Sequence, residues 1–229
     1  MGRALPSPRF SDTFCRMLTV HHLGKSQSER IVWLCEELGI PYELKVYDRH
    51  PVTRLAQADY KALHPIGAAP VITDGDVVLA ESAAIVDYIV AKYGQGRLTL
   101  KPDHPEYAQF LYWLHAANGT YQPATGRNMI LSRLNLPADN AVVKAMNGRL
   151  ALALGHLEER LAKADYLAGS EFTTADIMLV FTLTTMRLFY AYDLKPYPAI
   201  LRYLQRIGAR PAYQRAMRKG DPDMVPLLT

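Results

Sequence analysis

Leu18-Thr19-Val20-His21-His22-Leu23 is a short β-type run, apolar and polar in turn as far as His21. Gly24 and Lys25 break the run. Beyond the break Ile31, Leu34, Cys35 and Leu38 recur at helical spacing, which predicts an amphipathic helix. Ser26-Gln27-Ser28-Glu29 precedes that run. A serine with a glutamate three residues on is a capping-box pattern, so the helix is expected to open there. Gly39 stops it and Pro41 prevents its continuation. Tyr42 to Tyr47 alternates again as a strand. A short helix is expected between Leu55 and Leu63. Val71 to Thr73 and Val77 to Leu79 are two strands joined by an Asp74-Gly75-Asp76 turn, a hairpin. Glu81-Ser82 then opens a helix with Ile85, Ile89 and Tyr93 on one face, closed by Gly94-Gln95-Gly96. The order is β-α-β-α-β-β-α.

After residue 100 the strand period vanishes. Helical periodicity predicts helices over 104–133, 139–164, 174–191 and 198–209, with a short one near 211–219. The expected division is a loose extension over 1–16, an α/β domain over 17–97 and an all-helical domain over 103–229. Met17 is a candidate start, since the first strand pattern begins there.

The chain has 229 residues, 49% of them hydrophobic and 21% charged, enough apolar surface for a sizeable core. No apolar run is long enough to span a bilayer. The net charge is +4, and the first hundred residues are balanced, so the surplus lies in the helical part. Arg202, Arg206, Arg210, Arg215, Arg218 and Lys219 carry much of it. No aromatic or groove-reading motif accompanies them, so a solvated helix face is expected and nucleic acid is not. Two cysteines, Cys15 and Cys35, form no metal or disulfide spacing, which fits a reducing, cytoplasmic setting. The first residues lack the apolar segment of a secretory signal, and Pro6 spoils a myristoylation pattern. No metal or nucleotide motif is present.

Three stretches together resemble the cytosolic glutathione S-transferases. SQSERIVWLCEELGIPYEL is similar to their first loop, helix and second strand. HPIGAAPVITDGDVVLAESAAIVDYI is similar to their glutathione-site block. FTTADIML is similar to the start of their sixth helix. The resemblance covers residues 17 to about 215. It implies a thioredoxin-like N-terminal domain, a C-terminal helical bundle, glutathione as co-substrate and a symmetric homodimer. His21 and His22 stand in the first strand where tyrosine-type classes carry a tyrosine, and the loop holds serines where cysteine-type classes carry a cysteine. The chain therefore resembles a serine-type, bacterial-like member.

The thiol of glutathione ionises only partly at neutral pH, and the thiolate is the nucleophile. A donor aimed at sulfur in a positive field would activate it. The resemblance places Ser26 in that role, at a helix N-terminus that favours an anion. Read alone, Ser26 is equally a helix cap, and one hydroxyl can serve both ends. Ser28 is its rival. Glu81 and Ser82 are expected to hold the γ-glutamyl ammonium and carboxylate. The backbone at Ala69 is expected to pair with the cysteinyl part, beside a cis bond before Pro70. Arg54 is expected at the glycine carboxylate, with Arg49, His50 and Lys61 as rivals. Gly67 and Ala68 stand where several members carry a basic residue. His64 is expected to be structural. Among the aromatics of the first long helix, Trp113 and Tyr121 are expected to reach the second substrate, a hydrophobic electrophile. Two other activities fit the same site: glutathione-dependent reduction of peroxides or disulfides, and glutathione binding without turnover. Phe172-Thr173-Thr174-Ala175-Asp176 is expected to open a buried helix through a second capping box.

Overall fold

The computed structural model describes residues 17–229, so the expectations for residues 1–16 lie outside the described residues. Four strands form one mixed sheet in the order β2-β1-β3-β4. β1 (Thr19–Leu23) runs parallel to β2 (Glu43–Tyr47) and antiparallel to β3 (Val71–Asp74), which returns as β4 (Val77–Ala80). The crossover from β1 to β2 is α1 (Glu29–Leu38). It ends where Gly39 adopts a left-handed φ of 63° and its N–H caps the Cys35 carbonyl. α2 (Ala58–Lys61) and α3 (Ser82–Lys92) complete this half.

The second half is helical: α4 (Tyr107–Ala116), α5 (Gln122–Ser132), α6 (Ala141–Leu161), α7 (Thr174–Leu183), α8 (Pro198–Gly208) and α9 (Pro211–Gly220). The fold class is the expected one. Two expected helices are interrupted. The run over 104–133 splits at a wide turn, Ala117–Tyr121. Pro123, in the first turn of α5, has no N–H to offer the carbonyl four residues back, and the ladder shifts register there. The run over 174–191 ends as α-helix at Leu183. Thr184 bonds its hydroxyl back to the Val180 carbonyl at 2.8 Å, and a tighter turn, Thr185–Leu188, follows.

α1 sits at the centre of the molecule. Every residue of it except Glu37 is buried, because the sheet covers one side and α7 and α9 cover the other. One continuous core joins both halves through Ile31, Leu34, Leu179 and Tyr213. A smaller cluster of Leu23, Tyr47, Tyr60, Val71 and Ala80 forms a second core.

The basic C-terminal stretch is not simply a solvated face. Arg210 grips Glu37 with two bonds of 2.7 and 2.8 Å, and Arg215 and Lys219 converge on Glu36. Arg206 pairs with Asp165. The acids come from α1 and from the loop after α6, remote in sequence, so inspection of the stretch alone finds no counter-charge. Among the described residues, no helix is long and apolar enough to cross a membrane.

Candidate active site

The loop between β1 and α1 is held open by Arg49. Its guanidinium donates to the carbonyls of Gly24, Lys25 and Arg54 at 2.7, 3.1 and 2.7 Å. Lys25 takes a left-handed φ of 53°, which turns the chain toward the start of α1. Ser26 follows and lines a cleft of about 590 Å³ between the two halves.

The expected capping box at Ser26 and Glu29 does not form. The residue before the helix is Ser28, and no side chain caps the first turn. The Glu29 carboxylate accepts instead from the Thr185 hydroxyl at 2.6 Å, wholly buried, and burial pushes its pKa up to about 8. The serine hydroxyls are engaged elsewhere. Ser26 Oγ lies 2.7 Å from Ser28 Oγ, and Ser28 Oγ lies 2.9 Å from His22 Nδ1. His22 Nε2 lies 3.1 Å from Asp221 Oδ2, and the other oxygen of Asp221 accepts the Lys25 N–H at 2.9 Å. Ser26, Ser28, His22 and Asp221 are all buried. A continuous hydrogen-bonded chain thus runs from the cleft wall, past α1, to the loop after α9. His22 and its neighbour His21 point to opposite faces of β1. His21 bonds Tyr47 and Thr73, away from the cleft.

Arg30, the second residue of α1, is fully buried and, among the described residues, makes no hydrogen bond to a carboxylate. It donates to neutral acceptors only: Gln27, Ser82, Asn118 and Gln122, at 2.9–3.2 Å. Burial lowers its pKa to about 9, which leaves it charged at neutral pH. A buried cation in the first turn of α1, bonded to the first residue of α3, makes both N-termini favourable places for an anion.

The other expected site residues fall as follows. Ala69 lines the cleft, and the Ala69–Pro70 peptide is cis, as the resemblance implies. Ser82 is buried at the start of α3, and its hydroxyl reaches Gln27 of the cleft wall at 3.4 Å. Glu81, before it, is exposed with a left-handed φ of 72°, a strained conformation for a glutamate. Neither Glu81 nor Ser82 lines the mapped cleft itself. Arg54 and Lys61 both line it and are exposed. Arg49 is committed to three carbonyls. His50 and His64 accept backbone N–H groups from the turns that follow them, a structural use of both rings.

Trp113 and Tyr121 do not line the cleft, which corrects the expectation for both. Trp113 stacks on His156 and packs against Tyr121, and the Tyr121 hydroxyl donates to the Ala153 carbonyl. Both rings turn toward α6, so the aromatic stripe of this helix is interior packing. The apolar wall is built by Met129 of α5, Phe181 of α7, and Met186 and Phe189 beyond it. Met129 had the signal of helical position. The other three sit in a mostly buried apolar stretch interrupted by threonines, whose pattern does not say which residues face a ligand. Among the described residues, no group of His, Cys, Asp or Glu is placed to hold a metal ion.

Two family models match the chain: "Glutathione S-transferase, N-terminal domain" over residues 26–92 and "Glutathione S-transferase, C-terminal domain" over residues 140–206. Glutathione S-transferase 3 of Schizosaccharomyces pombe is 32% identical over 225 residues, covering 93% of this chain and 92% of the relative. A glutathione S-transferase crystal structure from Actinobacillus pleuropneumoniae is 35% identical with a TM-score of 0.81, covering 90% and 93% of the two chains. A theta class glutathione S-transferase from Xanthomonas axonopodis pv. citri, solved with glutathione bound, is 26% identical with a TM-score of 0.66, covering 88% and 97%. With both halves matched and a relative shared over nearly its whole length, the chain belongs to the glutathione S-transferase family.

Proposed function

We propose that this protein ionises the thiol of glutathione at Ser26 and transfers the resulting thiolate to an apolar electrophile held against Met129, Phe181, Met186 and Phe189. The observation that carries this reading is the buried Ser26 hydroxyl at the cleft wall, at the approach to α1, whose first turn carries the buried Arg30 cation. A hydroxyl and a cation both favour sulfur as an anion.

The ends of the tripeptide have complementary groups. Ser82 at the α3 N-terminus and Glu81 before it suit the γ-glutamyl carboxylate and ammonium. The backbone of Ala69 suits the cysteinyl amide. Arg54 and Lys61 are the two cations on the cleft wall available to the glycine carboxylate. A transferase is favoured over a disulfide reductase, because the loop offers hydroxyls and the described cysteine, Cys35, is buried with its thiol pKa pushed well up. The protein is proposed to work as a homodimer in the cytoplasm.

Calorimetric binding of glutathione and turnover of four acceptors test the reading: an aryl halide, an isothiocyanate, an organic peroxide and a mixed disulfide. Binding with turnover of the aryl halide or isothiocyanate is expected. Turnover of the mixed disulfide alone, or binding with no turnover, would contradict it.

A further inference from the structure

The chain of four side chains that begins at Ser26 has a property that follows from counting protons. Each hydroxyl carries one proton and accepts two hydrogen bonds. Asp221 is an acceptor at His22 Nε2, so that nitrogen carries hydrogen. With a neutral ring, Nδ1 is bare and accepts, and Ser28 donates to it at 2.9 Å in preference to the Leu23 carbonyl at 3.4 Å. Ser28 Oγ already accepts the Leu23 N–H at 3.1 Å, so it takes its second bond from the Ser26 hydroxyl at 2.7 Å. Ser26 in turn accepts the Ser28 N–H at 3.2 Å and keeps one acceptor position. In this state the bonds all run one way, Ser26 to Ser28 to His22 to Asp221. Ser26 can then only accept from a thiol.

Protonation of His22 at Nδ1 reverses the order. The ring donates to Ser28, Ser28 donates to Ser26, and the Ser26 proton is released toward the cleft. The Ser26–Ser28 and Ser28–His22 bonds are kept in both states with their direction reversed, and the cleft-facing position of Ser26 changes from acceptor to donor.

We propose that Ser28, His22 and Asp221 form a proton relay that takes the thiol proton of bound glutathione through Ser26 onto His22 and stores it there as an imidazolium beside Asp221. The S–H bond breaks and a Ser26 O–H bond forms. The original Ser26 proton passes to Ser28, and the original Ser28 proton passes to His22 Nδ1. The net change is one proton moved from sulfur to imidazole, with no other reactant. The product state is the one in which Ser26 donates to the thiolate. The logic is that of a hydrolase triad, in which a buried carboxylate supports the imidazolium, with the nucleophile here supplied by the substrate.

Three further features fit a built device. His22 is fully buried, and Gly220 lies against its ring: a Cβ added there would stand 3.1 Å from Nε2. Asp221 is fixed at its second oxygen by the Lys25 N–H, so the relay and the Ser26 loop are tied to one carboxylate. Two other charged groups lie around His22 and Asp221. Arg49, across the loop, is held by three carbonyls, and Glu29, on α1, has its pKa raised to about 8 by burial and bonds Thr185.

The proposal rests on glutathione binding at Ser26, and the test separates the two. The full chain is labelled with ¹⁵N-histidine, and the His22 ring is followed by NMR as glutathione or S-methylglutathione is added. Calorimetry reports binding, and ultraviolet absorbance reports thiolate. Glutathione is expected to convert Nδ1 of His22 from an acceptor to a protonated nitrogen. S-methylglutathione has no thiol proton and is expected to leave it unprotonated. Asp221→Asn and Ser28→Ala, checked for unchanged melting, are expected to lower the thiolate fraction at neutral pH about tenfold, equivalent to one pKa unit, with glutathione affinity held within about threefold. Thiolate formed while His22 stays neutral would overturn the relay and leave the Ser26 site standing. Absence of binding would overturn both.

Discussion

Two helix starts in this chain carry the same sequence signature and have opposite uses. Ser26-Gln27-Ser28-Glu29 and Thr173-Thr174-Ala175-Asp176 each place an acid three residues after a hydroxyl. At α7 the signature means what it says. Asp176 accepts the Thr173 N–H at 2.9 Å, and then also the Leu167 N–H and the Tyr203 hydroxyl, so one buried carboxylate organises three segments. At α1 the same pattern caps nothing. The acid leaves for Thr185 and the serines turn to each other and to His22. Ser26 accepts one local N–H, that of Ser28, and keeps an acceptor position toward the cleft, which the start of α1 borders and that of α7 does not.

This contrast predicts that the largest stability loss lies at α7. Asp176→Ala leaves buried donors on Leu167, Thr173 and Tyr203 without an acceptor, at about 1–3 kcal/mol each. Urea unfolding should register a loss on the order of 3 kcal/mol or more, with the Michaelis constant for glutathione unchanged in the folded fraction. A selective loss of glutathione affinity with normal unfolding would break the comparison.

Glu29 gives the next effect, with the sign set by burial. Its folded pKa of about 8 lies above the ordinary 4.5, so the unfolded chain releases this proton first. Its contribution is complete below pH 4.5 and is lost as pH rises toward 8, at up to about 1.4 kcal/mol per pH unit. Glu29→Gln imitates the protonated acid and should flatten the stability curve across that window. An unchanged curve would mean that another group controls it.

Smaller effects belong to the ends of the tripeptide. Ser82→Ala removes a hydroxyl from the proposed carboxylate site and should weaken glutathione binding roughly tenfold, about 1–2 kcal/mol. Arg54→Ala and Lys61→Ala should differ from each other, with the larger loss, about 1 kcal/mol for an exposed pair, marking the residue at the glycine carboxylate. Equal, negligible losses would remove both from the site.

Much of the fold is legible in the chain because periods of two and of three to four residues follow directly from which face is buried. Breaks are less so. The interruption at Ala117–Tyr121 could be read only from Pro123, and the end of α7 only from the threonines at 182, 184 and 185. The cleft is legible where a contiguous motif borders it, at Ser26 and Ala69. It is illegible where the partner is remote. His22 and Asp221 are 199 residues apart, and nothing near either one announces the other. Trp113 and Tyr121 mislead for the same reason, since a helical stripe does not state which neighbour it faces.

The central claim is that the hydroxyl at the start of α1 lowers the pKa of bound thiol while the one at the start of α7 does not. Thiolate absorbance of the glutathione complex, titrated against pH for the wild type, Ser26→Ala and Thr173→Ala, measures this directly. A hydrogen bond to a charged group contributes about 1.5–3 kcal/mol, so Ser26→Ala should raise the thiol pKa by about 1–2 units, while Thr173→Ala leaves it in place. A Ser26→Ala titration superimposable on that of the wild type would contradict the account.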